Sequence, residues 1–119
     1  MPRDYRTLKS YLVLKELHNE VISFTSGISY HLQHLSNTLK ISSLTSITLL
    51  AEGSALSNES FLECAIDSKA ELRIIETCLE LFEQEEDEEY QRTDTSTLRL
   101  LLKDGTRKLN SLVKRLRKP

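Results

Sequence analysis

The sequence predicts an all-α protein: an antiparallel helical bundle of about four helices, joined as coiled-coil-like helical hairpins in a single domain spanning 1–119. Three observations predict it. Three separate stretches place apolar residues at alternating steps of three and four, the spacing that turns one stripe of an α-helix toward a neighbour. Both prolines, Pro2 and Pro119, stand at the ends, so nothing in the interior forbids long helices. At 119 residues with no Trp, four Tyr and three Phe, the chain has room for one modest core and few large side chains to fill it. Apolar surface completed by another chain is therefore expected.

The first helix is expected over 4–37. Asp4 is placed to cap it, and Leu14, Leu17, Val21, Phe24 and Ile28 carry the stripe, with His31 and Leu35 continuing its register. Gly27 costs such a helix about 1 kcal/mol against Ala, so either a close neighbour needs the room or the helix bends there.

Between Ser36 and Thr48, seven of thirteen residues are Ser or Thr. Hydroxyls compete for backbone hydrogen bonds and lower helix propensity, which places a break near Ser36 to Ser43. A short helix over 41–52 follows, using Ile41, Leu44, Ile47 and Leu50; its β-branched content also permits a strand. Gly53 is suited to end it, and Ser57 or Asn58, or a Ser60–Glu63 capping box, is suited to start the next.

That next helix, expected over 59–89, holds the longest seam: Phe61, Ala65, Ser68, Leu72, Ile75, Leu79 and Phe82. Leu72, Ile75 and Leu79 are expected in the core, and Glu85, Glu86, Asp87, Glu88 and Glu89 are expected to be exposed. Six of the seven residues from Glu83 to Glu89 are acidic, at the end where the helix dipole is already negative.

The last helix, expected over 96–117 with Asp94, Thr95 or Ser96 as its cap, repeats the spacing through Leu98, Leu102, Gly105, Leu109, Leu112 and Leu116. Leu109 is expected in the core, and the outer surface is basic. Eight Lys or Arg lie between Arg99 and Lys118, against Asp104 alone.

Charge is segregated along the chain. Residues 1–51 carry five basic and three acidic groups, residues 52–89 two and thirteen, and residues 90–119 nine and two. Neighbouring helices that neutralise one another account for most of this, leaving the acidic tip and the Lys114–Lys118 tip unbalanced.

No site for catalysis, cofactor or metal is expected. Phosphate-loop, nucleophile-elbow, H-E-x-x-H and Cys-x-x-Cys patterns are missing. His31 and His34 stand one turn apart but lack further ligands at matching spacing. They fit a polar layer of the seam, with His18 at the surface. Cys64 and Cys78, about 21 Å apart along one helix, cannot bridge each other. No apolar run approaches a membrane span and Met1 to Lys9 has no apolar core, so an intracellular chain is expected, nuclear or cytoplasmic.

The function these features favour is a non-catalytic helical subunit or adaptor of a hetero-oligomeric complex. Its partners are other helical protein chains, different chains rather than a second copy. The partner-binding candidates are Leu98, Leu102, Leu109, Leu112 and Leu116, the basic tip Lys114, Arg115, Arg117 and Lys118, and the acidic tip Glu85, Glu86, Asp87, Glu88 and Glu89. Two alternatives use the basic last helix: nucleic-acid binding through its phosphate-seeking cations, and a membrane-surface or calmodulin-type target helix.

Overall fold

The computed structural model describes residues 4–84 and 94–118. Asp4 is a cap as expected, but the element it starts is short: its carboxylate accepts the Arg6 N–H at 3.1 Å and closes a single 3-10 turn, Tyr5–Thr7. Regular helix follows as α1 (Lys9–Thr25), α2 (Gln33–Gly53), α3 (Asn58–Gln84) and α4 (Ser96–Leu116), and no strand occurs among the described residues. Each helix packs on the next and α4 closes back onto α1, giving an antiparallel four-helix bundle. It is a rod of 54 × 19 × 19 Å around one continuous core.

The seam residues of α3 and α4 are buried from Phe61 to Phe82 and from Leu98 to Leu112. Leu72, Ile75, Leu79 and Leu109 all lie in the core, with Leu72 at 2% exposure and the other three at 0%. Phe82 meets Phe24 of α1 edge to face, with ring centroids 5.4 Å apart.

The expected 4–37 helix is in fact two helices. α1 stops at Thr25 and α2 starts at Gln33, with a 3-10 turn, Tyr30–Leu32, between them. The Thr25 hydroxyl donates to the Val21 carbonyl at 2.8 Å and the Ser26 hydroxyl to the Ser23 carbonyl at 2.7 Å. Gly27 then adds the least favourable propensity in the region. A Cβ on Gly27 would meet nothing within 4 Å, so of the two expected roles the close neighbour is absent. The periodicity ran through this break because Phe24, Ile28 and Leu35 all pack on the core from either side of it.

The break expected near Ser36 to Ser43 is not there. α2 runs unbroken through the serines, where the buried faces of Ser36, Ser42, Ser43 and Ser46 are held in the bundle and several hydroxyls bond back along the helix. Ser43 donates to Lys40 O at 3.2 Å, Thr45 to Ile41 O at 2.8 Å and Ser46 to Ser43 O at 2.8 Å. The expected 41–52 helix is the second half of α2, and the strand alternative falls away.

Ser36, Ser42, Ser43 and Ser46 are buried, and their small size lets neighbouring backbones come near. Ser68 of α3 donates across the seam to the Ser46 carbonyl at 2.8 Å. Further along, a Cβ on Gly53 would lie 2.7 Å from the Cys64 Cβ. Gly53 ends α2 as expected, yet its φ is not positive; space, not a left-handed turn, calls for glycine there.

Ser57 caps α3, its Oγ accepting the Ser60 N–H at 3.3 Å and its carbonyl the Phe61 N–H at 2.8 Å. The Ser60–Glu63 pair lies inside the helix and is not the cap. The stretch of the expected 59–89 helix beyond Gln84 lies outside the described residues.

One buried polar atom is left over. Ser36 Oγ is fully buried and has no hydrogen-bond partner among the described residues. An unpaired buried hydroxyl costs roughly 1–3 kcal/mol, and Ala is the better helix former. Ser36→Ala is therefore expected to raise the thermal midpoint, by a stabilisation of about 1 kcal/mol or more, which differential scanning calorimetry reads directly. A lowered midpoint would show that the hydroxyl is satisfied.

Candidate functional site

With the core accounted for, what the molecule offers to others lies on its outer faces. Leu98, Leu102, Leu109 and Leu112, expected to meet a partner, are buried inside the bundle, and Leu116 packs partly buried against the same core. The chain's own helices fill that seam. Lys114, Arg115, Arg117 and Lys118 are exposed at the end of α4 and beyond it. Glu85, Glu86, Asp87, Glu88 and Glu89 lie outside the described residues.

Two outer surfaces stand out. The first is apolar. Ile41 of α2 is 65% exposed, Leu44 51%, and Ile74 and Leu81 of α3 41% each. The Ser68–Ser46 bond and the Gly53–Cys64 contact fix the register of these antiparallel helices. Counting from them, Ile41 and Ile74 stand at about the same height along the rod.

The second is a charged cleft between α3 and α4. One end, about 280 Å³, is lined by Ile66, Lys69, Asn110, Val113, Lys114 and Arg117. Toward the other end the walls are Glu76, Arg99, Leu102, Lys103 and Thr106. The expected neutralisation between neighbouring helices is thus sparse. Lys69, one of only two bases in α3, is turned toward Lys114 and Arg117 rather than away from them.

Among the described residues a single ion pair joins the two helices, Arg99 Nε to Glu83 Oε1 at 2.7 Å. The Thr95 hydroxyl donates to the same oxygen at 2.8 Å, which diverts it from capping α4. Asp94 takes that place, its carboxylate accepting the Ser96 N–H at 2.9 Å.

The Arg99 hydrogen bond, and after it the Thr95 one, holds the Glu83 carboxyl below its ordinary value of 4.5. A depressed carboxylate stabilises the fold above the unfolded-state value, and that contribution is lost as pH falls through the folded-state one. The Arg99 and Glu83 side chains are 38% and 37% exposed, so solvent screening limits the pair to about 0–1 kcal/mol. The thermal midpoint of Glu83→Gln is accordingly expected to sit slightly below that of the parent at pH 7, with the gap closing as the pH falls through the lowered Glu83 value. A gap that persists in acid would place the effect in packing.

The histidines differ from expectation. His31 and His34 are exposed and do not form a layer of the seam. His18, expected at the surface, is half-buried, and its Nδ1 shares a 2.7 Å hydrogen bond with Ser43 Oγ of α2. No group of three or more His, Cys, Asp or Glu able to hold a metal is found among the described residues. Cys64 and Cys78 are free thiols. Burial pushes both upward from the ordinary thiol value, and Glu52, Asp67 and Glu63 add to it at Cys64. No described helix is long and apolar enough to cross a membrane.

The sequence did not single out the α3–α4 cleft. Lys69 was its available signal: it stands seven residues before Glu76 on the flank of the seam, yet only the antiparallel register brings it to Lys114. No protein-family model matches the chain, and neither a curated protein nor a solved structure matches it.

Proposed function

We propose that this chain is a non-catalytic helical subunit or adaptor of a hetero-oligomeric complex inside the cell, joined to a different chain through the outer faces of its helices. The observation that carries this reading is the exposure of large apolar side chains on α2 and α3, Ile41, Leu44, Ile74 and Leu81, of which Ile41 and Ile74 stand level along the rod. Apolar surface of this kind gains from burial at about 25 cal/mol per Å².

The test is recovery of the tagged chain from its native cell, with and without the pair Ile41→Asp and Ile74→Asp. A helical partner recovered with the parent and lost with the variant is the expected result, alongside monomeric sedimentation of the parent alone. Self-association of the parent through these residues would overturn the hetero-oligomeric assignment.

A further inference from the structure

We propose that the cleft between α3 and α4 is a second docking surface, and that its occupant is an acidic amphipathic helix of a partner protein. The inference stands on the cleft alone and does not rest on the reading of the α2–α3 face. Its length suits a helix: from Arg99 to Arg117 the wall formed by α4 runs for about 27 Å, or roughly five turns. The cleft offers one apolar foothold: Ile66 shows 40% of its surface, while Val113 and Leu102, which also line the cleft, are buried at 7% and 6%.

Charge then selects the partner. Lys69, Lys103, Lys114 and Arg117 line the cleft, and none of them makes an ion pair with a described residue. Like charges held on facing walls repel, and carboxylates laid between them relieve that repulsion while complementary charge fixes orientation and speeds encounter. Of the α3 carboxylates, Glu76, Glu80 and Glu83 act on Arg99 at the far end of the cleft and Glu63 and Asp67 act on Cys64, beside α2; none lines the end that holds Lys69, Lys114 and Arg117.

A nucleic acid fits less well. Glu76 in the wall and the engagement of Arg99 by Glu83 disfavour any anion at that end equally, so the choice of partner rests on the rest of the cleft. No aromatic side chain lines the cleft to stack a base. The exposed Ile66 side chain adds nothing to phosphate binding but gives the leucine face of a helix an apolar contact.

The test uses the whole chain and a synthetic peptide of about six helical turns, with Leu along one face and Glu along the rest. A DNA duplex of mixed sequence and equal charge is the competitor. The peptide is expected to bind, and the double variant Lys69→Ala, Lys114→Ala to weaken it about tenfold, since rim ion pairs are individually modest. Ile66→Ser should weaken it as well, whereas Arg115→Ala, outside the cleft, should leave it unchanged. All four positions have exposed side chains, and an unaltered circular dichroism spectrum checks that each variant is folded. Duplex DNA bound more tightly than the peptide, with affinity falling steeply with salt, would assign the cleft to nucleic acid and overturn the proposal. So would failure of the peptide to bind, or binding indifferent to the Lys69 and Lys114 replacements.

Discussion

Leu79→Ala is expected to destabilise the protein by about 2–5 kcal/mol, the range for truncating a fully buried leucine. Leu79 is 0% exposed in the second half of α3, the helix that packs on both α2 and α4. In a rod only 19 Å across, a cavity has few second-layer side chains to collapse into it. Because domains of this size are stable by only about 5–15 kcal/mol, the loss is a large share of the whole. Urea denaturation should show it as a fall in midpoint with little change in slope. Ile74→Ala, one helix face away at 41% exposure, is the control and should cost about 0.5 kcal/mol or less in the isolated chain. Equal losses at the two positions would mean that the seam faces elsewhere.

Gly53→Ala is the second large effect, and its sign runs against propensity. Alanine is favoured over glycine in a helix by about 1 kcal/mol, but here its Cβ would lie 2.7 Å from the Cys64 Cβ and 3.0 Å from Phe61 Cδ1. The Cys64 Cβ is fixed to the α3 backbone and cannot swing away. The two helices must part, and overpacking of this kind costs roughly 1–3 kcal/mol. Removing the opposing Cβ should recover part of the loss: Gly53→Ala combined with Cys64→Gly is expected to be less destabilised than the two single changes summed. Gly27→Ala, with open space around the new methyl and no positive φ at that residue, should instead raise stability by about 0.4–1 kcal/mol. If Gly53→Ala were as benign as Gly27→Ala, the close approach of α2 and α3 would be refuted.

The contrast between these glycines shows what the sequence could and could not reveal. On α3 and α4 the apolar residues recur at three and four with little else competing, so Leu72, Ile75, Leu79 and Leu109 were legible as core. Where helices begin and end was less so. The stripe through Phe24, Ile28 and Leu35 continues across the turn at Gly27, because both sides of the turn face one core and periodicity does not register a change of direction. The serines of α2 misled for a different reason. In isolation a hydroxyl weakens a helix, but Ser43, Thr45 and Ser46 bond back to carbonyls three and four residues earlier, and tertiary contact uses their small size. The surfaces were the least legible. Residue counts gave α3 as acidic and α4 as basic, but which charges meet depends on rotation about each helix axis. That rotation turned Lys69, rather than the neighbouring acids, toward Lys114.

The hydrogen bond from Ser68 to the Ser46 carbonyl has a mechanical consequence. Small side chains make the α2–α3 seam smooth, and smooth helix pairs lack the interlocking knobs that resist axial sliding. A slip of one turn, about 5.4 Å, would strand a buried hydroxyl between helices at a cost of roughly 1–3 kcal/mol, while Gly53 would no longer stand opposite Cys64. The bond therefore acts as a detent, and the glycine as a notch that accepts one neighbour only. Together they index α2 against α3 and hold Ile41 and Ile74 level, so that any partner reading both helices meets a fixed spacing.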